Sequence, residues 1–139
     1  MTVDPVLYID TSAFLKLIVA EEFSDQTRHR LQRSAGWSST LLDVEAHRAA
    51  RRLGLPASLV AEALEHVTLV TIDDMTVAAA RSVGSADLRA LDAIHLATAI
   101  ELGDDLDGLV TFDRRLAEAA ADRGMSVLTP GRPDLWWLG

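Results

Sequence analysis

Short apolar runs recur along this 139-residue chain, each followed by a longer stretch with helical spacing. Val6, Leu7, Tyr8 and Ile9 form the first run. Others lie at 67–72, 108–111 and 126–128, and 36–39 is read as a further brief strand. Helices are predicted over 13–20, 24–33, 41–53, 75–83, 88–102 and 114–123, with one more restarting at Pro56, a favoured first helical position. Gly54 and Gly103 are the expected stops. Strands alternating with helices describe an α/β domain around a central, mainly parallel sheet of four to five strands. The length fits one domain, and no repeat, low-complexity linker or break in composition divides residues 1–139. In such a sheet the chemistry lies beyond the carboxyl ends of the strands.

Composition narrows the chemistry. The chain has no cysteine, which excludes a disulfide scaffold, thiolate zinc sites and a cysteine nucleophile, and fits a reducing compartment. A hydrophobic content of 49% argues against disorder. The net charge of −8 argues, taken alone, against a nonspecific nucleic-acid binder. That average conceals an asymmetry. Residues 26–52 hold Arg28, Arg30, Arg33, Arg48, Arg51 and Arg52 against Asp43 and Glu45, a local +4 that leaves −12 elsewhere. Asp4 stands where a secretory leader wants positive charge, and no apolar run approaches the roughly 20 residues of a membrane span. A soluble, cytoplasmic protein is expected.

Three aspartates and one glutamate stand where such a domain has little use for them. Asp10 directly follows the first strand, and Asp113 follows a later one, two residues after Thr111, so both reach the same sheet edge. Each also precedes a helix, where Asp caps well. Asp92 resists that explanation. Residues 88–100 are apolar on nearly every face, and Asp92 sits inside the stripe drawn by Leu88, Leu91, His95, Ala99 and Leu102. An isolated buried carboxylate costs several kcal/mol, so it must be paired, protonated or bound to a metal. The pairing alternatives are a hydrogen bond to His95 one turn on, or an arginine. Glu45 shows a milder anomaly, one turn from Leu42 and Ala49 on an apolar face; its alternative is an i,i+3 pair with Arg48, contributing about 0.2–0.5 kcal/mol.

Four carboxylates on one edge repel each other unless a cation joins them. All-oxygen donors point to Mg2+ or Mn2+ and not zinc, and such a site suits hydrolysis of a phosphodiester. Ser12 and Thr111 would add hydroxyl ligands or orient a metal-bound water.

The segment Asp10-Thr11-Ser12, Glu45, the block Leu-Asp-Ala-Ile-His-Leu-Ala-Thr-Ala at 91–99, and the block Thr-Phe-Asp-Arg-Arg-Leu at 111–116 resemble the PIN-domain ribonucleases, and among them the VapC-type toxins of bacterial toxin–antitoxin pairs. The resemblance runs from Tyr8 to about Leu128. Its two blocks are fairly specific, whereas Asp-Thr-Ser alone is weak. It implies a three-layer α/β/α domain and a Mg2+- or Mn2+-dependent endoribonuclease with the acidic quartet Asp10, Glu45, Asp92 and Asp113, assisted by Ser12 and Thr111. It also implies an RNA substrate, a homodimer, and neutralisation by a small VapB-like antitoxin.

Other features have two readings each. Arg48 and the other arginines of the +4 stretch either track RNA phosphates or form a solvated helix face, and Arg114 and Arg115, just after Asp113, are candidates for holding substrate or shielding the acidic cluster. His95 is read as a core histidine bonded to a carboxylate. Asp74 of the Asp73-Asp74 pair is expected to cap a helix. Trp136 and Trp137, outside the family pattern, are expected to pack on the body or on a partner. Phe14, Leu17, Ile18 and Phe23 offer surplus apolar surface for a dimer or antitoxin interface. The competing function is a non-catalytic or receiver-like acidic α/β module. A receiver needs a lysine late in the chain, and the only lysine is Lys16. No glycine-rich phosphate loop is present.

Overall fold

Val6–Ile9 (β1) is apolar at every position, and its side chains point alternately to two faces that both need cover. Leu7 and Ile9 enter one core with Ala13, Phe14, Leu42, Ala46, Ala50, Val60 and Val110. Tyr8 enters the other with Leu96, Ala99, Leu109, Leu116 and Ala120. A computed structural model describes residues 3–139 and shows how the chain supplies both covers.

The strands are β1, β2 (Ala35–Ser39), β3 (Val67–Val70), β4 (Gly108–Val110) and β5 (Val127–Leu128). They form one sheet in the order β3-β2-β1-β4-β5, with every pairing parallel. The helices are α1 (Thr11–Leu15), α2 (Ser24–Leu31), α3 (Leu41–Leu53), α4 (Ala57–Leu64), α5 (Asp74–Ala80), α6 (Ala90–Leu102) and α7 (Arg114–Asp122). Residues of α1, α3 and α4 fill the first core, and those of α6 and α7 fill the second, giving three layers. From β1 the chain runs outward through β2 and β3, then crosses back to β4 on the other side. The strand order therefore reverses between β1 and β4, where a doubly wound sheet opens a crevice beyond its carboxyl ends.

The predicted elements are all present, with shifted ends. The helix read at 13–20 begins at Thr11, capped by Asp10, and stops at Leu15. Beyond it Lys16, Leu17 and Ile18 donate backbone bonds three residues back, to Ala13, Phe14 and Leu15, so the chain tightens into turns. The strand read at 67–72 ends at Val70 because its partner β2 ends at Ser39; Thr40 takes the Val70 carbonyl at 2.9 Å and turns into α3. Helix α6 starts two residues late because Arg89 is extended, with ψ of 151°. Pro56 sits at the cap of α4, one position before the helix. The cap of α5 is Asp73, not Asp74: its side chain accepts from the Thr76 N–H at 2.9 Å, in a capping box.

Two expectations about apolar surface also change. Phe14 is wholly buried in the first core and offers no free surface, whereas Phe23 is half-buried and stacks on Phe112 with ring centroids 5.9 Å apart. Leu17 and Ile18 remain partly exposed against that core. The Trp136–Trp137 pair packs on the body: Trp137 is 6% exposed, and the Trp136 indole N–H donates to Thr129 Oγ1 at 2.8 Å. Leu96 is wholly buried in the second core. Leu96→Ala is expected to lower unfolding stability by about 2–5 kcal/mol through lost burial and an unfilled cavity, read as a lower midpoint in urea denaturation.

Candidate active site at the β1–β4 edge

Asp10 caps α1 from the end of the central strand and is almost fully buried. Three side-chain and backbone donors surround it. Ser12 Oγ donates within 2.7–2.9 Å of both carboxylate oxygens, Thr111 Oγ1 donates to Oδ2 at 2.5 Å, and the Ala13 N–H donates to Oδ1 at 2.9 Å. Burial pushes the Asp10 carboxyl above the usual range, against the pull of those bonds and of His95. The same hydroxyls reach further. Ser12 Oγ accepts from the Phe112 N–H at 2.8 Å and Thr111 Oγ1 from the Asp113 N–H at 2.9 Å. Asp10 and the turn after β4 are thus tied together through two hydroxyls.

Asp113 caps α7, accepting from the Leu116 N–H at 3.0 Å. Asp92 lies in the first turn of α6, half-buried. Its carboxyl is pushed up to about 6 by burial and then by the negative charges of Asp113, Asp10 and Glu45, with His95 pulling the other way. Asp92 and Asp113 line one open cavity of about 330 Å3 together with Arg89, Arg114 and Arg115. Asp10 and Glu45 do not line that cavity; they are coupled to Asp92 through charge.

Glu45 accepts from Thr11 Oγ1 at 2.8 Å and from His95 Nε2 at 2.7 Å, both on Oε1. Burial alone would raise its carboxyl, but the bond and charge of His95 and the Thr11 hydroxyl outweigh it and hold Glu45 low. A carboxylate only accepts, so His95 carries a proton on Nε2. Its Nδ1 meets the Tyr8 hydroxyl at 2.7 Å, and burial raises that phenol so that it stays protonated. Two sequence expectations are corrected here. The carboxylate partner of His95 is Glu45, fifty residues away, and not Asp92 one turn back, because both ring nitrogens face β1 and α3. Glu45 is held by Thr11 and His95 and not by Arg48, which stays exposed on α3.

The arginines behave differently from one another. Arg114 donates from Nε to the Trp137 carbonyl at 3.0 Å and lies 3.7 Å from Glu118. Arg115 reaches the Asp87 carbonyl at 3.4 Å. Three participants escaped the sequence reading. Tyr8 and Thr11 flank Asp10 in sequence, but their partners are 87 and 34 residues distant. Arg89, three residues before Asp92, had a local signal in its helical spacing.

A carboxyl raised to about 6 in the folded chain, against an ordinary value near 3.9, binds more protons folded than unfolded between those values. The ionised form therefore destabilises the metal-free protein above pH 6, and the penalty fades as the pH falls. In chelator, Asp92→Asn is expected to melt higher than the natural chain at pH 7 and alongside it near pH 4, as read by thermal denaturation at the two pH values.

The PIN domain family model matches residues 7–122. The chain is 41% identical over 126 residues to Ribonuclease VapC46 of Mycobacterium tuberculosis, covering 89% of this chain and 97% of that protein. It is 39% identical over 135 residues to Ribonuclease VapC35 of the same species, covering 91% and 98%. A solved toxin-antitoxin complex from Klebsiella pneumoniae has a chain of similar fold, with a TM-score of 0.65 and 18% identity over 91% of this chain and 99% of that one. With the family model spanning most of its length and VapC ribonucleases matched nearly end to end, the chain belongs to the PIN-domain family as a VapC-like member.

Proposed function

We propose that the chain is a metal-dependent endoribonuclease, the toxin of a VapBC-type pair, whose site is Asp10, Glu45, Asp92 and Asp113. The observation that carries this reading is the state of Asp92. Its carboxyl is raised first by burial and then by three other carboxylates, and it lines a cavity that also holds three arginines. Stability alone offers no reason to gather those charges.

Among the described residues, no three His, Asp or Glu side chains are already set around one point for an ion. The donor set nevertheless fits a hard divalent cation: all four groups are carboxylates, there is no thiolate, and their mutual repulsion is what a cation relieves. The ion would be Mg2+ or Mn2+, held by Asp10, Asp92 and Asp113 with Glu45, and when bound it would supply an activated water and neutralise phosphodiester charge.

The chain's own residues prepare that site. Ser12 and Thr111 orient both oxygens of Asp10, while Thr11 and the Tyr8–His95 pair orient Glu45. Arg89, Arg114 and Arg115 set positive charge beside Asp92 and Asp113, where an RNA phosphate would approach. Arg48, exposed one turn from Glu45, is a further candidate for a phosphate contact. Similarity to VapC ribonucleases, and in fold to a chain of a toxin-antitoxin complex, supports a VapB-like antitoxin as partner. A groove whose apolar side is Leu17, Ile18, Leu31, Leu59 and Ala63, rimmed by Arg28, Glu62 and His66, is a surface such a partner could use. Met75 and Val77 on α5 and Leu91 on α6 are exposed, apolar surface that would suit a homodimer contact. No helix is long and apolar enough to cross a membrane among the described residues.

The test compares the natural chain with Asp10→Asn and Asp92→Asn on structured RNA, with Mg2+, with Mn2+ and with chelator. Cleavage is expected only with a divalent ion. Each substitution is expected to lower it by more than about a hundredfold, since changes to outer-shell groups alone typically cost 10–100-fold. Equal cleavage by all three chains, or cleavage indifferent to chelator, contradicts the reading. A binding-only module would show no turnover at all, with the substitutions altering stability alone.

A further inference from the structure

The segment after β5 lies outside the motifs that define the site, yet it is bonded to the turn that carries Asp113. Thr129 Oγ1 donates to the Thr111 carbonyl at 2.8 Å, and Trp136 Nε1 donates to Thr129 Oγ1 at 2.8 Å. The Thr111 N–H donates to the Leu128 carbonyl at 3.2 Å, and its hydroxyl bonds Asp10. Every polar group of Thr111 is therefore fixed, two of them by β5 and the tail. One turn further, the tail returns a second contact, as Arg114 Nε donates to the carbonyl of buried Trp137. Asp113 lies between these two anchor points.

The tail's own path is tightly set. Arg132 stacks over Trp136 at 4.8 Å and over Phe23 at 5.6 Å, and Phe23 stacks in turn on Phe112 of the same turn. Gly131 has a φ of +92°, and a Cβ there would lie 2.3 Å from the Phe23 ring, so the chain passes too close to Phe23 for any side chain. The inner side of the 111–114 turn is held by Asp10 and Ser12, and the outer side by this tail.

We propose that residues 129–137 form a clamp that positions the 111–114 turn, and through it the Asp113 carboxylate and the Thr111 hydroxyl on Asp10. Thr129 and Trp136 are its positioning residues. The proposal rests on the nuclease reading of the four carboxylates and adds a device outside that quartet. Removing the Thr129 hydroxyl frees the Thr111 carbonyl and deprives the indole of its acceptor, so the turn loosens while the carboxylates themselves remain.

The test uses the full chain with Thr129→Val, Thr129→Ser and Trp136→Phe, the last keeping an aromatic ring but no N–H. Five quantities are read: kcat and KM on RNA, Mn2+ affinity by calorimetry, exchange rates of the Phe112 and Asp113 amides, and the melting temperature in chelator. Thr129→Val and Trp136→Phe are expected to lower kcat about tenfold, as outer-shell substitutions do, with KM within about twofold. They also weaken Mn2+ binding and speed exchange at both amides. Thr129→Ser, which keeps the hydroxyl, restores all three. Natural kcat and Mn2+ affinity in both Thr129→Val and Trp136→Phe overturn the clamp whatever the exchange rates do. A natural chain that neither binds Mn2+ nor cuts RNA overturns the nuclease reading itself, a different result read before any variant is made.

Discussion

Burial of the Asp10 carboxylate at the carboxyl end of the central strand is the constraint from which the surrounding structure follows. A carboxylate taken out of water costs several kcal/mol unless its lone pairs are met. Ser12, Thr111 and the first turn of α1 meet them. Meeting them places β4 beside β1 and brings the turn after β4 against the start of α1, because the two hydroxyls that serve Asp10 also accept the Phe112 and Asp113 amides. The reversal of strand order between β1 and β4 creates the crevice, and the Asp10 network gives it a floor.

Around that floor the negative charge is distributed unequally. Glu45 is held ionised by His95 and Thr11, whereas Asp92 is raised toward neutrality by burial and then by the neighbouring carboxylates. One group is thus already stabilised as an anion, and another awaits positive charge. The net charge of −8, which speaks against nucleic acid when read as an average, includes these four groups; arginines at 89, 114 and 115 stand directly beside two of them. Local placement, and not total charge, decides whether RNA is a plausible ligand.

Features with local causes were legible in the sequence. The apolar strands, the α3 helix ending at Gly54 and the Asp caps at positions 10 and 113 each depend on a few adjacent residues. Asp92 was conspicuous because its helix is otherwise so apolar. What escaped depends on contacts across the chain. His95 ignores the carboxylate one turn away because β1 and α3 bring Tyr8 and Glu45 to its two nitrogens. The early end of β3 depends on where β2 stops, and the packing of Phe14 and Phe23 depends on elements that no helical periodicity reveals. The four carboxylates stand out one by one in the sequence, whereas the hydroxyl and imidazole bonds around Asp10 and Glu45 do not.

The most direct measurement is a crystal structure of the chain grown with Mn2+, with an anomalous difference map collected at the manganese edge. If the four carboxylates hold a divalent cation, the strongest peak lies between Asp10, Asp92 and Asp113, with Glu45 directly bound or linked through water. A map with no peak among those side chains at saturating Mn2+, or with its only peak elsewhere on the surface, contradicts that assignment.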